Sequence, residues 1–431
     1  MDYRVEDFGA IGNGIADDTK AINDGIRFCS KNLCNLIFSE NKCYRSGKIN
    51  LLDNTTLIFE KNSILKATDN LDLFKDENSF IKLINEPTYD NCDYDGKPNM
   101  FFLYAKDKKN IKILGDGIID GNEEIFYGKI EKYHIDGYFY PRVPLIFMEN
   151  VNSIDINGIT LRKSGFWTLH LVGCNNCFIK DIKILNNMIL ANCDGIDIDH
   201  SKNVTIDNCF IKGADDSIVI KTTEAFEKYG NSENIIIKNS NLSSTSAAIK
   251  FGTETTGIIQ NVYAVDCKIF NSNRGISLQL RDEGCINNIK FENIDIDTHR
   301  VSDEDWWGKA EGISITALKR YENKKIGSIY NIEFQNIKIN GEHGIFIYGE
   351  DNINIFDVKF NDIKIYLNKK NNYDLLLYDL RPTYKNKLFK DDLAYIYAKN
   401  AKNIFYNNLI YNSDDEIKKL IKEKIIEKNV L

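Results

Sequence analysis

Apolar and polar residues alternate along most of this chain, in short bursts. From about residue 34, apolar residues at every second position are interrupted by Asn, Asp and Gly, the pattern of brief strands and tight turns. One unit recurs, Asn-φ-x-φ-x-(Asn/Asp/Gly)-φ-x-φ with φ apolar, starting at Asn110, Ser153, Asn176, Asn203, Asn234, Asn261, Asn288, Asn331 and Asp357. Successive starts lie 23 to 31 residues apart except for two steps of 43. The sixth position is Gly115, Gly158, Asp181, Asn208, Asn239, Asp266, Asn293, Asn336 and Asp362. These residue types tolerate a left-handed backbone, so each unit predicts two strands joined by a sharp corner. Repeats of this length predict an all-β, single-domain parallel solenoid, because one coil buries its apolar side chains only against its neighbours.

Solenoid coils are expected over residues 34–412. The two long steps hold insertions at 121–143 and 298–309, and such insertions usually leave on one face. Residues 1–33 read as an N-terminal cap with a helix: Ala21, Ile22, Gly25 and Ile26 are at helical spacing, after Asp17, Asp18 and Thr19, whose side-chain oxygens suit a helix start. Residues 413–431 leave the repeat. Ile417, Leu420, Ile421 and Ile425 have helical spacing there, which predicts a C-terminal helix over the open end of the stack.

A third short strand follows each unit. Its apolar pairs superpose as Leu169/Leu171, Ile196/Ile198, Ile218/Ile220, Ile249/Phe251, Ile276/Leu278 and Ile313/Ile315. Two positions before each pair stand Trp167, Asp194, Asp216, Ala247, Arg274 and Glu311; inside each pair stand His170, Asp197, Val219, Lys250, Ser277 and Ser314. Aligned residues on adjacent rungs lie about 4.8 Å apart, so Asp194, Asp215 and Asp216, with Asp197 beside them, are expected to share one patch. Crowded carboxylates raise at least one pKa. Split protonation of two carboxylates is what glycoside hydrolysis requires, one as general acid and one as general base. A calcium site is the alternative use of such a cluster, and capping of turns is the structural one.

Composition narrows the partners. The formal charge of −8 argues against nucleic acid or an anionic membrane. No run approaches a membrane span, and no leader-like segment opens the numbered chain, so the protein is expected in the cytoplasm, or outside the cell if a leader has been removed. Ten scattered cysteines without a CxxC pair read as packing thiols, with neither a disulfide framework nor a structural zinc site. No metal and no cofactor is expected.

The segments SGFWTLHLVGC with Trp167, NCDGIDI with Asn192 and Asp194, and GADDSIVIK with Asp215 and Asp216 together resemble the motifs of the polygalacturonase family of glycoside hydrolases, family 28. The opening FGAIGNGIADDTKAI resembles the cap shared by pectin-active β-helix proteins. The resemblance implies a right-handed parallel β-helix and hydrolysis with inversion of an α-linked, pectin-like oligo- or polysaccharide containing galacturonate or rhamnose. It makes Asp215 the general acid, makes Asp194 and Asp216 the pair that activates water, and gives Asn192 a positioning role.

Two family motifs are altered. The Gly-His-Gly of the next coil aligns with Ser246-Ala247-Ala248, and the Arg-Ile-Lys after it with Ser277-Leu278-Gln279. Lys221, Lys250, Arg274 and Arg281 are the candidates to replace the lost charge. Trp167, His170, Asp197, Glu254, Arg142, Trp306 and Trp307 complete the expected substrate-binding set, with His134 and Tyr140 as further candidates. Two other readings remain: a calcium-dependent β-helix lyase or epimerase, and a carbohydrate-binding solenoid without turnover. Monomer and homo-oligomer are both compatible with the sequence.

Overall fold

Alternation of period two, broken every few residues by Asn or Asp, builds coils rather than long strands, because each strand ends where the backbone turns left-handed. The computed structural model describes residues 2–76, 79, 82–83, 97–385 and 387–431. All nine predicted corners have positive φ, from Asn336 at 53° to Gly115 at 119°. The Asn, Ser or Asp that starts each unit is left-handed too, from Asn288 at 54° to Ser153 at 68°. Each coil therefore carries two such corners, where the sequence pattern had suggested one.

Residues cluster into two compact units, Met1–Ala214 and Asp215–Leu431. In the first, parallel rungs align Ile111, Ile154, Cys177 and Val204 on one sheet, Leu65, Ile119, Leu161, Ile184 and Ile211 on a second, and Leu103, Ile146, Leu169 and Ile196 on a third. In the second unit the third sheet runs Ile218, Ile249, Ile276, Ile313, Ile345, Ile396 and Ile425. The expected apolar pairs thus stack in the expected register within each unit. Every one of these isoleucines and leucines except Ile425 is buried, and full burial of such a side chain contributes roughly 1.5–3 kcal/mol. Phe291, Phe334 and Phe360 continue the ladder as stacked rings, with centroids 4.8 and 5.0 Å apart.

The coil corners are tied by side-chain ladders. Asn293 donates to Asp266 Oδ1 at 3.0 Å and accepts from Asn336 Nδ2 at 2.8 Å. The ladder continues beyond the predicted repeat, since Asn403 and Asn408 donate to Asp357 and Asp362 across 46 residues. That tenth unit escaped the sequence pattern because residues 368–395 intervene, a third insertion that includes the antiparallel pair Leu377–Asp379 and Leu388–Lys390. All three insertions leave the chain at the same point of the repeat, between the second sheet and the third: after Asp120, after Thr298 and after Leu367.

The ends differ in detail from the sequence expectation. The N-terminal helix is Thr19–Asn32, preceded by the strands Asp2–Arg4 and Asn13–Asp17, which already belong to the coils. Asp18 sits at the N-cap position, but its carboxylate accepts from Ile11 N and Gly12 N, and Asp17 accepts from Thr19 N instead. The C-terminal helix is short, Asp415–Leu420, with Asp414 capping Ile417 N. Ile425–Val430 is not helical: it adds a parallel strand beside Ile396–Ala401, because an unpaired sheet edge offers the chain end a ladder of hydrogen bonds.

Asn293 separates the two duties of a corner residue. Asn293→Val forces a β-branched side chain into positive φ and removes both ladder bonds, and is expected to cost ~1–3 kcal/mol. Asn293→Gly keeps the backbone freedom and is expected to cost less than half as much. Denaturant unfolding of the two variants checks the order.

Candidate active site

The candidate carboxylates, Asp194 in the first unit and Asp215 and Asp216 in the second, each stand at a turn that leads into the third sheet, the point of the repeat from which the insertions leave. In the first unit Asn192 adopts a left-handed backbone (φ 54°) and opens a turn into the strand Ile196–Asp199. Asn186 holds this turn by donating to Cys193 O at 3.0 Å and to Thr168 Oγ1 at 2.7 Å. The Asp194 carbonyl accepts from Thr168 N at 3.0 Å, so Asp194 and the Trp167 turn are locked on adjacent rungs.

Asp194 is 5% exposed and Asp197 fully buried. His170 stands opposite Asp197 in register. Its ring meets Trp167 edge-on at 4.5 Å and Phe147 at 5.1 Å. His170 Nε2 lies 3.6 Å from Asp199 Oδ2, and His200 Nε2 lies 3.8 Å from Asp199 Oδ1. Sequence reading passed over Asp199 and His200. Their signal was the alternation of Asp197 and Asp199 with Ile196 and Ile198 in DGIDIDH, which a strand with both faces buried turns into a carboxylate flanked by two imidazoles.

Arg142 is not at the surface. It is fully buried, donates from Nε to Gly165 O at 2.6 Å and from Nη2 to Ala191 O, and lies 4.8 and 5.0 Å over the rings of Tyr140 and Phe166. Glycine is required at position 137, where a Cβ would stand 2.0 Å from Arg142 Nη1. Arg142 thus joins the Trp167 turn to the Asn192 turn as a positioning residue, contrary to a direct contact with ligand. Tyr140 is buried in the cluster with Phe166 and Trp167, and His134 pairs with Asp136 at 3.1 Å.

In the second unit Asp215 is half-buried and Asp216 is 2% exposed. Their rung is fastened to the next coil: Ser244 Oγ donates to Asp215 O, Ser217 Oγ to Ser243 O at 2.7 Å, and Ala247 N to Asp216 Oδ1 at 3.2 Å. Lys250 Nζ meets Asp216 Oδ2 at 2.7 Å. Burial pushes the Asp216 carboxyl up to about 6, the neighbouring Asp215 adds to the rise, and the Lys250 ammonium opposes it. Here the structure brings together three expected residues, Asp215, Asp216 and Lys250.

Two of the other basic candidates, Arg274 and Arg281, are engaged elsewhere. Arg274, one rung beyond Ala247, is 2% exposed, with Nε 3.1 Å from Glu311 Oε2. Arg281 is fully buried and donates to Leu280 O, Thr316 O, Leu380 O, Pro382 O and Thr316 Oγ1. Both were expected to replace the lost charge at the sugar; both are buried instead, with backbone carbonyls or a carboxylate in place of water. Lys221 is buried, with its carbonyl accepting from Ser232 Oγ at 2.8 Å. Glu254 is half-buried and raises the pKa of Asp282. Burial is the first cause of that rise, to about 6, and Arg320 lies 3.3 Å from the same carboxylate.

Trp306 is 4% exposed and belongs to the core, so its indole is not a stacking platform. Trp307 is half-buried, with the Arg381 guanidinium 5.8 Å over its ring. The hydroxyls of Ser277 and Ser314, which stand where the column continues past Lys250, are enclosed without a hydrogen-bond partner among the described residues.

The chain is similar to known proteins. A probable polygalacturonase from Vitis vinifera is 28% identical over 285 residues, covering 63% of this chain and 56% of its own length. The chain therefore spans little more than half of that relative. Among solved structures, an exopolygalacturonase from Thermotoga maritima has a TM-score of 0.69 at 22% identity, over 85% of this chain and 87% of that one. A family 28 exopolygalacturonase from Yersinia enterocolitica has a TM-score of 0.75 at 18% identity, over 100% of this chain and 77% of that one. The fold is the right-handed parallel β-helix of these proteins. The family model described as glycosyl hydrolases family 28 matches residues 61–305, more than half of the chain, and the protein belongs to that family.

Proposed function

We propose that this protein is an inverting glycosidase that cleaves α-linked bonds of a pectin-like oligo- or polysaccharide containing galacturonate or rhamnose. The observation that carries the reading is Asp216, a carboxyl buried to 2%, pushed up to about 6 and paired with Lys250 at 2.7 Å. A buried acid next to a second acid is expensive to maintain, and such costs concentrate at catalytic sites.

In this reading Asp215, the more exposed of the two neighbours, gives its proton to the glycosidic oxygen as the bond to the anomeric carbon breaks. Asp194 and Asp216 take a proton from a water that attacks the opposite face of that carbon, so the configuration inverts. Lys250 keeps Asp216 ionised enough to act as base. Trp167 and His170 stand beside Asp194 in the first unit, and Asn192 opens the turn that carries it. The family name of the relatives supports a pectic substrate, while the loss of the Arg-Ile-Lys cations at Ser277-Leu278-Gln279 leaves room for a neutral sugar beside the acids.

Asp215→Asn and Asp194→Asn are each expected to lower hydrolysis of pectic oligosaccharides by a factor of about 10²–10⁴ with an unchanged circular dichroism spectrum. Either variant retaining wild-type turnover overturns the assignment, and proton NMR of the first product is expected to show the inverted anomer. Treatment with EDTA is expected to leave the rate unchanged. Loss of activity on chelation, with an unsaturated product, points instead to the calcium-dependent lyase.

The pH profile follows from Asp216. A base must be ionised, so kcat/KM is expected to fall as pH drops through about 6. Because Lys250 lowers that pKa, Lys250→Met is expected to move the acidic limb upward by at least ~1 pH unit. A limb that stays in place, or moves down, separates Asp216 from the rate.

A further inference from the structure

The first insertion holds a buried acid that the reaction above does not use. Glu123 begins a short helical turn, Glu123–Phe126, entered through Asn122 with a left-handed backbone (φ 53°). Its side chain is buried, and Oε2 is enclosed without a hydrogen-bond partner among the described residues. Burial raises the pKa of this carboxyl and the Glu124 charge adds to the rise, while the Tyr127 hydroxyl, the Asn187 N–H and the Lys163 ammonium oppose it. A carboxyl kept in such a place calls for an explanation by what it holds.

It holds the turn that carries Asp194. Tyr127 Oη donates to Glu123 Oε1 at 3.1 Å and accepts from Asn187 Nδ2 at 2.8 Å, and Asn187 Oδ1 accepts from Ile189 N at 3.2 Å. All three bonds point their donors toward the carboxylate, so each polarises the next. The backbone completes the seam: Ile135 N donates to Ile189 O at 2.6 Å, and Ala191 N to Ile135 O at 2.9 Å. Asn186 and Asn187 thus divide the turn between them, the first binding Cys193 O and Thr168 Oγ1 and the second binding the insertion. Phe126, at the end of the same helical turn, packs on the neighbouring Trp167 turn, where a Cβ at Gly165 would stand 2.1 Å from its ring.

We propose that Glu123 is a positioning residue for Asp194, clamping the first insertion onto the turn 186–194 through Tyr127 and Asn187. The inference rests on the glycosidase reading above and adds to it a residue that acts without touching the sugar. A group that activates water has to keep its place to within about 0.5 Å. The clamp works with Glu123 ionised, because a carboxylate only accepts. A proton on the enclosed Oε2 finds no acceptor among the described residues and weakens the bond from Tyr127, so the clamp loosens as pH falls.

Three readouts test this. The first needs no substrate: in Glu123→Met, amide hydrogen exchange of peptides covering residues 186–195 is expected to be at least ~10-fold faster than in wild type, with the rung 146–157 unchanged. Equal protection of the turn overturns the clamp. If Glu123→Met loses its cooperative melting curve, Tyr127→Phe, which removes a single oxygen, carries the same expectation and the same overturning result. The second readout is kinetic. Either variant is expected to lower kcat at least ~10-fold with KM within about 2-fold, and to add no further loss in the Asp194→Asn background. An unchanged kcat, or losses that multiply, overturns the action through Asp194. The third is the conservative variant Glu123→Gln, which keeps the acceptor for Tyr127 and is expected to retain most of the wild-type kcat at pH 7. Its acidic limb of kcat/KM is expected to be less steep than that of wild type, because one ionisation is gone; a limb of unchanged steepness overturns the role of the charge. Wild-type protein that hydrolyses no pectic oligosaccharide overturns the glycosidase reading and the catalytic role with it, and the exchange result still decides the clamp.

Discussion

Everything in this protein depends on the fixed step between rungs. A parallel ladder spaces the coils by about 4.8 Å, and inward isoleucines stack in columns only if each coil returns in register. Two left-handed corners per coil enforce that return: Asn, Asp, Ser or Gly occupies them throughout the nine predicted units, and Asn and Asp side chains bond from one corner to the next. A single-residue slip would turn a whole strand's apolar face outward. With the step fixed, sequence distance becomes spatial order, so that Asp216, Lys250 and Ser277 meet although each is more than twenty-five residues from the next.

That constraint explains where charge can be afforded. Ser277 and Ser314 on the outward face of the third sheet are buried, as is Asp216 at the turn before it, and polar groups there are desolvated. Asp216 shows one outcome, a carboxyl raised to about 6 although Lys250 touches it. Asp379 shows the opposite outcome in an equally buried place, because two guanidiniums and a backbone N–H outweigh its desolvation. Removing one partner of a buried pair costs roughly 3–5 kcal/mol, so Arg274 with Glu311 behaves as structure. Asp216 has one cation and one competing acid, which leaves its proton affinity close to neutrality. The difference between scaffold and chemistry in this chain is the number of counter-charges per buried carboxylate.

How much of this was written in the order of residues depends on the range of the physics involved. The solenoid, its register and the nine corners were legible, since alternation and turn residues are local. The carboxylates Asp194, Asp215 and Asp216 were legible as members of columns. Arg142, Arg274, Arg281 and Trp306 were expected to bind substrate and are buried; for Arg142 and Arg281 the partners come from distant loops, Gly165 and Pro382. The tenth unit and the strand Ile425–Val430 were hidden for a related reason: an insertion broke the period before one, and a short helix preceded the other. His170 and Asp197 were placed correctly in register, but the Asp199 and His200 beside them were not singled out, since nothing in a DGIDIDH string says that both faces of its strand are covered.

The insertions share one exit from the repeat, the turn between the second and third sheets, and the carboxylates occupy that same turn. The coincidence has a physical basis. A solenoid tolerates extra residues only where a coil can be opened without breaking a rung, and the turn before the third sheet is open to varied length: ten residues separate Leu185 from Ile196, four separate Gly213 from Ile218, and twenty-eight separate Leu367 from Ile396. A turn free to vary in length is also free of the isoleucine ladder, so it can carry Asp194 or Asp215–Asp216 without disturbing the core. The ladder supplies position, and the turn carries the carboxylates. One such turn can therefore lengthen while the rungs on either side of it keep their register.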